Sequence, residues 1–122
     1  MMKNRFVLVF LGGSIGSLLR YLIAVLLEMA IGPNLAASLS LFVVNVSGAI
    51  FLGLTSGFKT EEAKLFWGAG FAGGFTTMSG VAVFAYTQTP ATAIPALAVM
   101  FGLGFIGYAL GSNLARQLGG KK

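Results

Sequence analysis

The sequence predicts an all-α membrane protein, a single domain over residues 1–122 with four transmembrane helices, the third broken at mid-membrane. Three observations carry that expectation. Hydrophobic residues make up 57% of the chain and charged residues 9%; a soluble domain carries about 25% charged residues, so this chain cannot cover itself with hydrated surface. Its uncharged runs have the length of membrane crossings. One of them contains Gly68-Ala-Gly-Phe-Ala-Gly-Gly-Phe-Thr-Thr-Met-Ser-Gly-Val81. A helix in lipid must satisfy its backbone internally, and glycines beside hydroxyls at mid-depth mark a helix opened over a cavity or an ion.

The helices follow in order. Helix 1, about 6–30, is the apolar run after Lys3 and Arg5. It is longer than the apolar part of a signal peptide and holds Arg20, so it reads as a retained span. Helix 2, about 35–58, lies in the uncharged run Met29 to Phe58, with Ile31-Gly32-Pro33-Asn34 as its entry loop. From Leu65 to Ala115 no residue is charged, far beyond the length of about 20 residues that one crossing needs. Thr87-Gln88-Thr89-Pro90 and Pro95 divide it into helix 3, about 65–88, and helix 4, about 92–114.

Seven of the eight Lys and Arg residues fall on one side of this topology: Lys3, Arg5, Lys59, Lys64, Arg116, Lys121 and Lys122. The 1–2 and 3–4 connections have none. Both termini are therefore expected in the cytoplasm. The cations punctuate helix ends and do not interleave with aromatics on a polar face, which argues against a nucleic-acid partner. With no cysteine and no histidine, disulfides, thiolate or imidazole metal sites and Ser-His-Asp or Cys-His catalysis are excluded. The chain is not expected to be an enzyme.

Small residues recur four apart at Gly12/Gly16, Gly53/Gly57, Gly70/Gly74 and Gly107/Gly111. Such spacing lets helix backbones approach closely in lipid, and four pairs predict tight packing together with self- or partner-association. Among the polar residues, Arg20 is a cation deep in helix 1, placed either to snorkel, to pack helix ends or to attract an anion. Glu28 reads as a solvated terminus. Asn45, at the centre of helix 2, either bonds a neighbouring helix or donates to an anion stripped of water. Thr76, Thr77 and Ser79 either bond back to their own helix or line the break, and Gly73-Gly74 favours the break. Phe71, Phe75 and Phe84 read as packing or lipid contacts.

These residues together resemble a known family. Gly12-Gly-Ser-Ile-Gly-Ser-Leu-Leu-Arg20-Tyr21 is similar to the first-helix signature of the small Fluc (CrcB-type) fluoride channels. Val44-Asn45 with Gly48 is similar to the helix-2 element, and Gly73-Gly-Phe-Thr-Thr77 to the helix-3 break. The likeness covers essentially the whole chain. It implies a multi-pass protein of a bacterial-type inner membrane, an antiparallel dimer with two pores, and passive export of fluoride that protects the cytoplasm. It also implies a structural sodium ion at the dimer centre, held by main-chain carbonyls that on this sequence are those of Gly73 and Thr76. Oxygen ligation suits a hard cation. Asn45 takes the pore amide role, Arg20 the helix-1 arginine role, and Tyr108 a place on the polar track.

The chain departs from that family in two ways. After the break the family usually reads Thr-Phe-Ser-Thr-Phe, whose ring edges present positive potential to fluoride. Here Met78, Ser79, Gly80 and Val81 stand in those positions. Met78 is polarizable and Val81 has no positive edge. The one-sided charge also fixes a single orientation, whereas an antiparallel homodimer needs a near-balanced bias. The expectation is therefore half of a heterodimer with a homologous subunit of opposite orientation, one pore being degraded, and with Asn45, Met78, Ser79, Val81 and Tyr108 lining the pore. Two alternatives stand beside it. One is a non-conducting partner subunit. The other is a small drug/proton antiporter, which needs an embedded carboxylate that the expected helices 2, 3 and 4 lack.

Overall fold

A computed structural model describes residues 2–119, so Lys121 and Lys122 of the charge pattern lie outside the described residues. Every described element is helical: α1 (Met2–Ile31), α2 (Pro33–Thr55), α3 (residues 61–75), α4 (Met78–Thr87) and α5 (Pro90–Gly119). Four segments are long and apolar enough to cross a membrane, with α3 and α4 forming the third between them. At about 1.5 Å per residue, 23–30 residues reach about 35–45 Å, enough for a bilayer core of about 30 Å.

The turn between α1 and α2 is set by two adjacent residues. Gly32 has φ 87°, a backbone region that favours glycine, and Pro33 opens α2 at a position where its missing N–H costs nothing. The Gly32 N–H closes α1 by donating to the Glu28 carbonyl at 2.9 Å. After α2, the Thr60 hydroxyl accepts from the Ala63 N–H at 3.2 Å and starts α3.

The helix bounds differ from those expected, for local reasons. Thr60 supplies a cap, so the third span begins at Glu61 and not near 65. The second ends at Thr55, where the Ser56, Gly57 and Phe58 amides tighten onto the carbonyls three residues back, those of Gly53, Leu54 and Thr55, at 3.2, 3.2 and 3.0 Å. The fourth begins at Pro90 and continues through Pro95. Pro95 removes only the amide that would reach Ala91, close to the helix start, so the helix bears it. Pro95, expected to help divide the long uncharged run, therefore does not break it, and the division falls at Gln88 and Thr89 alone.

The four glycine pairs combine into two helix interfaces within the chain. An added Cβ at Gly12 or Gly16 would stand under 3.0 Å from the carbonyl oxygens of Phe66 and Phe71, and at Gly74 or Gly70 from those of Gly13 and Val9. This is α1 packed on α3. Likewise Gly53 sits against the Tyr108 carbonyl, Gly111 against that of Ile50, Gly107 against the Ile50 side chain and Gly57 against Ala115. This is α2 packed on α5. The close approach expected from the spacing is therefore met within one chain.

The α1–α3 contact also gives a reason for an irregularity that the sequence did not announce. Residues Lys64–Ala72 form a wide π-helical stretch. Its broader turns place carbonyls five residues apart, those of Phe66 and Phe71, opposite glycines four apart on α1. On its other side Phe51 of α2 meets Trp67 and Phe71 edge-on at 6.1 and 5.2 Å, and Phe71 stacks on Phe75 at 5.8 Å. Leu41, Val81 and Met100 form a small core where α2, α4 and α5 meet, bordered by Phe42, Val46, Phe84 and Leu97.

Substitution separates the two kinds of glycine. Gly53→Val, which drives a side chain into the α5 backbone, is expected to cost about 1–3 kcal/mol. Gly102→Ala, where an added Cβ meets nothing within 4 Å, is expected to be neutral or to stabilise by up to about 1 kcal/mol. Thermal unfolding in detergent measures both, and equal melting of the two variants would remove the close contact from the account.

Candidate functional site: the break in the third span

The third span opens at Thr76 and Thr77, whose backbones are extended (φ/ψ −81/159° and −140/116°) between the end of α3 and the start of α4. Extension at mid-span strips these residues of helical partners, and lipid supplies none. Side chains supply them instead. The Thr77 N–H donates to Asn45 Oδ1 at 2.8 Å, and Asn45 Nδ2 donates to the Thr77 carbonyl at 3.2 Å. One primary amide thus satisfies both backbone groups of one residue, much as a neighbouring strand would. Because the Thr77 N–H requires an acceptor, the orientation of the Asn45 amide is fixed.

The hydroxyls around the break have separate tasks. Thr77 Oγ1 accepts from the Gly80 N–H at 3.0 Å and caps α4, and lies 3.1 Å from Ser79 Oγ. Thr76 Oγ1 bonds back to the Ala72 carbonyl at 2.9 Å. Ser17 of α1 donates to the Gly74 carbonyl at 3.2 Å. These diversions leave two particular carbonyls without their helical donor. The Thr77 amide, which a continuous helix would turn to Gly73, goes to Asn45. The Gly80 amide, which would serve Thr76, goes to the Thr77 hydroxyl. An oxygen-seeking cation is suited by such carbonyls, and Gly73 stands at an exposed position where an added Cβ would meet nothing within 4 Å.

Two cavities meet at Thr77. The first, about 570 Å³, lies between α2, α3 and α5 and is lined by Asn45, Gly73, Thr76, Met78, Met100 and Tyr108 among others. The second, about 680 Å³, is more polar and is lined by Arg20, Asn34, Ser40, Ser79, Thr87 and Gln88 among others. Arg20 is half-buried, and its Nε is buried without a hydrogen-bond partner.

The residues expected to line one pore are therefore divided. Asn45, Met78, Val81 and Tyr108 border the first cavity, while Ser79 borders the second with Arg20. Adjacent positions on α4 diverge by about 100°, as helical geometry of 3.6 residues per turn requires. Met78 is 69% exposed and Val81 only 6%, and Val81 is engaged in the Leu41–Met100 core. Two residues at the site lie outside the expected pore lining. Thr77 holds the centre, and its signal was present: a threonine three residues before Gly80 at the start of a helix is a cap. Met100 had none, since it reaches Asn45 only through the packing of α2 on α5.

Two comparisons set the chain among known proteins. The family model described as CrcB-like protein, Camphor Resistance (CrcB), matches residues 7–112. A Thermus thermophilus protein named fluoride-specific ion channel FluC is 37% identical over 124 residues, covering 91% of this chain and 98% of the relative. A Corynebacterium jeikeium relative, fluoride-specific ion channel FluC 2, is 32% identical over 134 residues, 91% of this chain and 79% of its own length. A Bacillus licheniformis relative of the same name is 46% identical over 79 residues, 61% of this chain and 56% of the relative.

The cap predicts a separable effect. Thr77→Val keeps the backbone bonds to Asn45 and loses the bond to the Gly80 amide, so unfolding stability is expected to fall by about 1 kcal/mol. Thr77→Ser should retain it. A thermal melt that leaves Thr77→Val level with the parent chain contradicts the capping role.

Proposed function

Because the chain belongs to the CrcB-like family, we propose that it is a fluoride channel subunit that passes the ion down its gradient and lowers cytoplasmic fluoride. One observation carries this reading. The Asn45 amide is locked to the break at Thr77, where two cavities meet inside a membrane-spanning bundle. A small anion leaving water must exchange hydration for fixed donors. The amide of Asn45, the hydroxyls of Thr77 and Ser79 and the amino end of α4 are donors of that kind. Arg20 contributes positive charge to the second cavity, where low-dielectric walls strengthen its attraction for anions.

The chain works as one half of an antiparallel dimer with a homologous subunit. The lopsided placement of Lys3, Arg5, Lys59, Lys64, Arg116, Lys121 and Lys122 holds both termini of this half in the cytoplasm, so the inverted partner needs the opposite bias. The carbonyls of Gly73 and Thr76 fit a structural sodium ion at the centre of such a dimer, with the partner's equivalents completing the ligand set. When bound, sodium supplies fixed positive charge that neutralises carbonyl dipoles from both chains. Loss of the aromatic edges at Met78 and Val81 is compatible with one degraded pore in the pair. The same loss supports a second reading, a non-conducting partner subunit. A proton-coupled antiporter is disfavoured, because neither cavity is bordered by an aspartate or a glutamate.

Fluoride efflux from loaded vesicles tests the proposal. The chain co-expressed with its oppositely biased homologue is expected to release fluoride, and the chain alone to release little. Rapid selective efflux by the chain alone overturns the heterodimer. In the active assembly, Asn45→Ala is expected to reduce fluoride flux at least about 100-fold, equivalent to about 2.7 kcal/mol of lost stabilisation on the permeation path; unchanged flux takes Asn45 out of that path.

A further inference from the structure

The Asn45 amide carries two N–H groups, and the Thr77 carbonyl accounts for one. The other reaches the Met100 thioether, with Nδ2 3.7 Å from Sδ. Met100 is 3% exposed, is packed with Leu41 and Val81, and borders the first cavity together with Asn45. Both N–H groups of the amide are thus engaged within the chain. An anion can recruit the amide only by displacing one of these acceptors.

The acceptors are unequal. Releasing the Thr77 carbonyl would strand a backbone group at mid-membrane and open the break. Releasing a thioether strands nothing, because sulfur is a weak acceptor that tolerates an apolar surrounding. A hydrogen bond to an anion is about twice as strong as one between neutral groups. We propose that Met100 is a positioning residue for Asn45: its sulfur holds the second N–H aimed at the cavity and yields it to an incoming small anion. The inference rests on the channel reading, and it deepens that reading by naming what the anion replaces.

The consequence is a graded series at one position. Met100→Leu keeps the volume and removes the acceptor. Met100→Gln keeps the length and supplies a strong oxygen acceptor. In the full chain assembled with its partner, the fluoride concentration giving half-maximal efflux is expected to fall several-fold in Met100→Leu and to rise several-fold in Met100→Gln. A merely structural role would shift thermal unfolding in both variants and leave this opposition absent. Shifts in the same direction, or none in either variant, overturn the proposal. A second measurement covers failure of Met100→Gln to fold or absence of flux altogether. The Asn45 side-chain amide, observed by ¹⁵N NMR of the same assembly, is expected to move in Met100→Leu and, in the parent, on addition of potassium fluoride. An assembly that passes no fluoride while the amide moves in Met100→Leu defeats the channel reading alone. An amide unmoved by Met100→Leu defeats the contact with sulfur.

Discussion

A lipid-embedded backbone that leaves its helix must find hydrogen-bond partners at once, and at Thr77 those partners are the two ends of one asparagine side chain. The rest of the molecule follows from that requirement. An unmatched amide and carbonyl at mid-membrane would each cost several kcal/mol, of the order of 5 kcal/mol together or more. Asn45 removes the penalty only if α2 is held at a fixed distance and rotation from the third span. Phe51 of α2, edge-on to Trp67 and Phe71 of α3, ties the two together, and the two glycine interfaces brace each of them. One fixes α3 against α1, the other α2 against α5, both by backbone contact that leaves little room for sliding.

The same arrangement separates structural from exchangeable polarity. Backbone bonds at the break are short and local or are matched by Asn45, whereas Gly73 and Thr76 border the first cavity and Arg20 and Ser79 the second. A pathway for a small anion needs this division. Groups that hold the scaffold cannot also be given up to a passing ion, and groups offered to the ion must be held by contacts that are cheap to break. The thioether beside Asn45 belongs to the second kind.

Much of the architecture was legible in the sequence, and the reasons differ by feature. The four spans follow from uncharged length, and the break from Gly73-Gly74 ahead of two threonines. The glycine spacing announced close approach, but not which pair meets which, because a four-residue repeat is identical on every helix that carries it. Asn45 was conspicuous as a polar residue in an apolar run. Its partner was not, since a contact between residues 32 apart in sequence is written in packing and leaves no local mark. The π-helical turns at Lys64–Ala72 likewise have no local signature; they answer to the spacing of glycines on α1. Ser79 was grouped with Met78 through the likeness to the family's Thr-Phe-Ser-Thr-Phe stretch, although helical rotation sends the two to different cavities.

The dependence of the break on Asn45 can be observed at one atom. In hydrogen exchange followed residue by residue, the Thr77 amide is expected to be protected in the parent chain and to lose that protection in Asn45→Ala, while amides inside α1 and α5 keep theirs. Equal protection of Thr77 in both would show that something other than Asn45 holds the break, and the account built on that bond would fall.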